Sequence, residues 1–205
     1  MKKSGYDAAL AAIVSVSAEE RASAYEEMMA GRKRGHWIWW VFPTLAERGG
    51  DNFSKCQAPP ADLNDAAHVE AYARHPLLRA HLVETFEVAT EAFGRHRGAF
   101  HVLDEGFGRK IEGAWLDGPV DSFKAFCSAT AFAAVAHRIG DRELKKASLK
   151  LLATFDGSIV YSADQAGSSG FVEDSAKRRN VLKGFDEPTL QLVGGGSSWQ
   201  EITSE

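Results

Sequence analysis

Between Val120 and Ile139 the chain carries a stretch whose apolar residues wrap a helix almost completely, and it limits the fold more than any other segment. Pro119 opens it and Gly140 stops it, the order of breakers expected around a helix. Wound at roughly 100° per residue, Asp121, Lys124 and Ser128 share one arc of about 60°. Phe123, Phe126, Cys127, Ala133 and Ala134 fall opposite, and Phe132 and Val135 continue the polar arc with apolar groups. A helix that is apolar all round needs other elements on every side. Its Asp, Lys and Ser must therefore be paired, solvated by a cleft, or costly.

The remaining punctuation supplies those neighbours as helices. Ser17-Ala18-Glu19-Glu20 reads as a capping box opening a helix over 18–30, with Gly31 or Gly35 as its stop. Asp65 to Arg74 is a second helix, broken at His75-Pro76, and Pro76 suits the first turn of a third, roughly Leu77 to Phe93, stopped by Gly94. Arg142 to Phe155 places Leu144, Leu149, Leu151 and Leu152 inward and is ended by Gly157, and Arg178 to Phe185 reads as a short last helix. Strand alternation is nearly absent. The expectation is an all-α fold: one compact multi-helix domain over residues 1–193, with loop insertions near 100–117 and 156–174 and a flexible tail at 194–205.

Composition closes off several function classes. With 205 residues, 44% hydrophobic and 25% charged, the chain belongs with ordinary globular domains. Its 24 basic against 28 acidic residues, net −4, argue against nucleic acid as the main partner. Two cysteines are too few for a disulfide framework or a structural zinc site, and no histidine pairs with a carboxylate at a convincing metal spacing. No secretory signal is apparent, and Ala125 to Ala136 is too short to span a bilayer, so a cytoplasmic protein without a membrane partner is expected. Gly106-Phe107-Gly108-Arg109-Lys110 lacks the strand and the Gly-Lys-Ser/Thr ending of a phosphate loop. No cofactor is expected.

Chemistry concentrates in two places. Arg32-Lys33-Arg34-Gly35-His36-Trp37-Ile38-Trp39-Trp40-Val41-Phe42-Pro43 sets three tryptophans directly after a basic run. Residues four apart share a face in helix and strand alike, so His36 and Trp40 project together. The tryptophans read first as core anchors, with stacking surfaces as the functional alternative. The basic run serves as a solvated helix end or as an anion-binding rim. The second place is the Asp121–Lys124–Ser128 stripe, read either as an internal ion pair or as a ligand-facing set. Thr130, off that stripe, is placed to bond a carbonyl one turn back.

The first segment resembles the hallmark G-x-K-x-x-H-W-M-W-F-I-F-P of a small all-helical family of domains of unknown function, sometimes mislabelled calpastatin. The family's second motif, D-x-x-K-x-x-S-S-M-T-x-F, is similar to Asp121, Lys124, Cys127, Ser128, Thr130 and Phe132, with Cys127 and Ala129 as departures. His75-Pro76-Leu77-Leu78 resembles its helix junction, and Val181 to Phe185 with Pro188-Thr189-Leu190 resembles its C-terminal end. Ser54 matches a Ser-x-x-x-Tyr element whose tyrosine is missing here. The resemblance spans about residues 18–193 and implies an all-α domain that brings the two polar motifs together. It implies no reaction.

Two functional readings and one structural reading follow. A pocket for a small anionic ligand, such as a nucleotide or nucleotide-sugar, would use Arg32, Lys33 and Lys124 for charge. Trp37 or Trp40 would stack, Ser128 would add a hydroxyl, and His36 or Asp121 would move a proton. A non-catalytic module would instead present the Trp-rich basic segment to a protein or nucleic-acid partner. The structural reading makes both motifs internal, with Lys124 and Asp121 paired.

Overall fold

The computed structural model describes residues 10–11, 13–16, 18–35, 37–45, 63, 65–96, 120–162 and 179–204. Ser17, His36 and the expected insertion at 100–117 lie outside the described residues. Helix α1 (Ala18–Met29) carries Glu19 and Glu20 in its first turn, where carboxylates complement the helix dipole. It closes through Gly31, at φ +70°, with Arg32 N donating to the Glu27 carbonyl at 3.0 Å. After the basic segment comes α2 (Ile38–Val41), a single turn whose C-cap is Phe42.

Asp65 caps α3 (Ala66–Arg74) by accepting from His68 N at 2.9 Å. His75 sits at ψ 118°, as a residue before proline must, and α4 (Pro76–Arg95) starts at once. Gly94 does not stop α4. It is exposed and sits in the last turn, one residue before the C-terminal Arg95, where a lone glycine costs about 1 kcal/mol at most.

Helix α5 (Val120–Ile139) is the centre of the molecule, buried continuously from Ser122 to Ala136. It packs against α2, α3 and α6 (Arg142–Leu152), while α4 packs against α1 and α6. Tyr72 and Phe86 meet Phe132 at ring distances of 5.3 and 6.3 Å, and Phe42 stacks on Phe86 at 6.2 Å. Helix α6 ends three residues before the expected Phe155, which leaves the helix and packs against Phe126 at 5.2 Å.

The body is all-α, as expected, with one antiparallel pair added to it. Strand β1 (Asp156–Ser162) pairs with β2 (Arg179–Lys183) through Val160–Val181, Tyr161–Asn180 and Ser162–Arg179. The helix expected over 178–185 is therefore corrected to a strand. Five residues with no helical stripe follow their partner, and β1 supplies β-branched and aromatic residues to pair with. Residues 156–162 of the expected second insertion are thus strand, and the rest of it up to 174 lies outside the described residues.

Helix α7 (Glu187–Val193) is capped by Asp186, and α8 (Trp199–Thr203) by a full Ser198–Glu201 capping box. The expectation of a flexible tail from residue 194 is corrected for this stretch. Ile202 is fully buried, Trp199 stacks on Phe185 at 4.5 Å, and α7 and α8 both rest on α5. Four or five ordered residues at a terminus need such tertiary anchors, because a helix this short has no stability of its own. Among the described residues, no helix is long and apolar enough to cross a membrane.

Candidate functional site

The basic segment leaves α1 at Gly31 and is fastened by a carboxylate one turn earlier. Glu27 Oε2 accepts from Arg34 N at 2.6 Å, Gly35 N at 2.9 Å and Trp37 Nε1 at 2.7 Å. Burial alone would push the Glu27 carboxyl up. The Gly35 and Arg34 amides, the Trp37 indole and the Lys33 charge outweigh it and hold the group below its ordinary value. His36 lies outside the described residues, yet both its neighbours, Gly35 and Trp37, hang from this one oxygen.

The three consecutive cations then part company. Arg32 and Arg34 are exposed, as a solvated helix end requires, but Lys33 turns inward and its side chain is only 2% exposed. Its ammonium lies 2.6 Å from Asp121 Oδ2 and 5.3 Å from the centre of the Trp37 ring. For Lys33 the solvated reading is corrected: an aromatic wall and a carboxylate on α5 replace its water. This ion pair joins the two motifs singled out in the sequence.

Asp121 stands in the first turn of α5 with its side chain 15% exposed, which places the pair near the surface end of that helix. Lys124 and Ser128 follow on the same face, both buried. Ser128 differs from three other hydroxyls on the helices. Thr90, Thr130 and Ser148 each donate to the carbonyl four residues back, at 2.6, 3.0 and 2.8 Å. The buried Ser128 Oγ has no partner among the described residues. Thr130 lies off the stripe as expected, and its hydroxyl also accepts from Asp186 N at 3.0 Å, tying α7 to α5.

Trp37 and Trp40 are 5% and 8% exposed. A docking module would need those indole faces in solvent, so at these two positions the exposed-surface geometry is not present. The Trp39 side chain lies outside the described residues. Among the described residues, no group of three or more His, Cys, Asp or Glu is arranged to hold a metal ion.

Two residues of this region escaped the sequence reading. Glu27 has no local signal, because its partners become neighbours only when the chain folds back across Gly31. Arg21 did have one: it falls in register with Ala24 and Met28 on the buried stripe of α1. It is 6% exposed, and its guanidinium lies 5.6 Å from the centre of the Trp40 ring.

A family model described as "Protein of unknown function (DUF1810)" matches residues 7–157. Among solved structures, the chain is similar to the conserved hypothetical protein Rv1873 from Mycobacterium tuberculosis. That similarity has 30% sequence identity and a TM-score of 0.47, and it covers 72% of this chain and 86% of that one. The comparison with curated proteins found no match.

Proposed function

We propose that this chain, which belongs to the family described as "Protein of unknown function (DUF1810)", binds a small anionic ligand, a nucleotide or nucleotide-sugar, where its two polar motifs meet. The observation that carries the proposal is the 2.6 Å contact between Lys33 and Asp121, which joins the basic aromatic segment to the stripe on α5. Lys33 and Lys124 are buried cations on that junction, and buried cations are retained where opposite charge meets them.

In this reading Lys33 and Lys124 recognise the ligand's negative charge, with Arg32 at the outer edge. Ser128 supports it further, because a hydroxyl that forgoes its local carbonyl is available to donate to or accept from a ligand. Trp37 or Trp40 provides the aromatic wall. His36 or Asp121 moves a proton if the bound molecule reacts. In this reading the protein works in the cytoplasm, which suits such ligands.

A thermal-shift screen of nucleotides, nucleotide-sugars and phosphorylated metabolites tests this, repeated on Lys124→Ala, His36→Ala and Ser128→Ala. One ligand class should raise the melting temperature of the wild type. The shift should vanish in Lys124→Ala and shrink in Ser128→Ala, whose smaller change guards against a fold defect. The proposal fails if no compound shifts the wild type, or if the shift survives intact in the Lys124 and Ser128 variants.

A further inference from the structure

We infer that a second site, bordering the first at Trp40, lies between α1 and α4 and takes a single small oxyanion, a carboxylate or phosphate group, between Arg21 and His81. Arg21 is more than nine-tenths buried, and its Nη2 has no hydrogen-bond partner among the described residues. His81 Nδ1 is likewise buried and without a partner. The phenol between the two elements is already engaged: Tyr25 meets Thr85 Oγ1 at 3.0 Å and the His81 carbonyl at 3.4 Å, and the Arg21 side chain also hydrogen-bonds to it, which still leaves Arg21 Nη2 unmet.

The charges around the cluster select the occupant. Arg21 brings a permanent positive charge, set against the Trp40 ring, and that charge acts on Tyr25, Tyr72 and His81. Burial first, and then Arg21, hold the His81 ring below its ordinary value, which favours a neutral imidazole. Glu84 is the carboxylate that acts on Tyr25 and His81. It is exposed, lies 3.4 Å from the Tyr25 hydroxyl and leaves Nη2 unmet.

A cation would be repelled by Arg21, and an apolar group would leave both nitrogens unpaired. An oxyanion accepts from the guanidinium and from Nδ1–H of a neutral imidazole together. His81 is only partly buried, so its ring gives the cluster an edge at the surface.

The test is titration of the full chain with sodium phosphate or sodium acetate against sodium chloride at matched ionic strength. The readouts are thermal unfolding and tryptophan fluorescence, since Arg21 lies over Trp40. A saturating rise in melting temperature should appear with phosphate, acetate or both in the wild type, which identifies the oxyanion. It should persist in Lys124→Ala, which separates this site from the first. Arg21→Met should weaken the apparent affinity about tenfold or more, as loss of a charge-assisted hydrogen bond entails. If that variant does not fold, Arg21→Lys, which keeps the charge without the planar fork, and His81→Phe should show the same loss. A response no different from chloride overturns the inference. So does a response unchanged in the Arg21 and His81 variants, or a crystal structure with an ordered water bonded to both nitrogens in the presence of phosphate and acetate.

Discussion

Glu27 Oε2 receives two backbone amides and an indole N–H, so a single oxygen sets the course of the chain that delivers Lys33 to Asp121. Glu27→Gln keeps the shape and removes the charge. It should lower stability at pH 7 by about 1 kcal/mol, a figure limited by solvent screening of a half-exposed group. The pH dependence has a definite sign. The folded-state value is depressed, so Glu27's contribution is complete above its ordinary value of 4.5 and is lost as pH falls through the lower folded value. Urea unfolding of the two proteins should therefore differ at neutral pH and converge in acid. A gap that stays constant down to pH 3 would show that the charge is not what holds the loop. Residue chemistry of this kind was only half visible beforehand. The Lys33, Asp121 and Lys124 set stood out because charges beside apolar residues are expensive, whereas Glu27 looks like any solvated helix carboxylate until its partners arrive.

At the scale of elements, turns and caps decide where helices stop, and these were the most legible features of the chain. Gly31 holds φ +70°, and a Cβ there would meet His96 Nδ1 at 2.5 Å, while His96 Nε2 donates to the Met29 carbonyl at 2.9 Å. Gly31→Ala should cost about 1–3 kcal/mol from backbone strain, with the clash added. Adding His96→Ala should recover the clash and leave the strain, so the double-mutant cycle should give a nonzero coupling energy.

Asp141 serves α6 in a comparable way. It caps Leu144 N at 3.0 Å and takes a two-pronged contact from Arg79 at 2.7 and 2.8 Å, which together hold its carboxyl below the ordinary value. Asp141→Ala should lower stability by about 2–3 kcal/mol and Asp141→Asn by less, because Asn still caps; equal losses in thermal melts would argue against a separate cap contribution. Where element reading failed, the cause was a missing partner. Residues 179–183 become strand because β1 offers a ladder, and Gly94 stays helical as the second-to-last residue of α4, one position before its C-terminal Arg95.

Across the whole molecule, α5 packs against α2, α3, α6, α7 and α8, and the C-terminal segment supplies two of those partners. The family match ends at residue 157, yet Thr130 binds Asp186, Ile202 is fully buried and Lys145 Nζ reaches the Ser204 carbonyl at 3.0 Å. Removing residues 197–205 should cost about 2–4 kcal/mol, the scale of losing one buried branched aliphatic side chain and an aromatic stack. Far-ultraviolet dichroism should retain nearly all of its helical signal while the urea midpoint falls; an unchanged midpoint would mean the segment does not contribute.

By itself, the sequence determined that the chain is helical, that Val120–Ile139 is its centre and that two polar motifs carry the unusual chemistry. Those properties follow from periodicity, capping and the cost of charge beside apolar groups, which act within a few residues. Tertiary structure alone decided that Lys33 rather than Arg32 or Arg34 meets Asp121. It also decided that Ser128 forgoes its local carbonyl, that Arg21 is left with an unmet nitrogen, and that the C-terminus docks. Each of these depends on which distant groups share a volume once water is removed, and spacing along one chain does not contain that information.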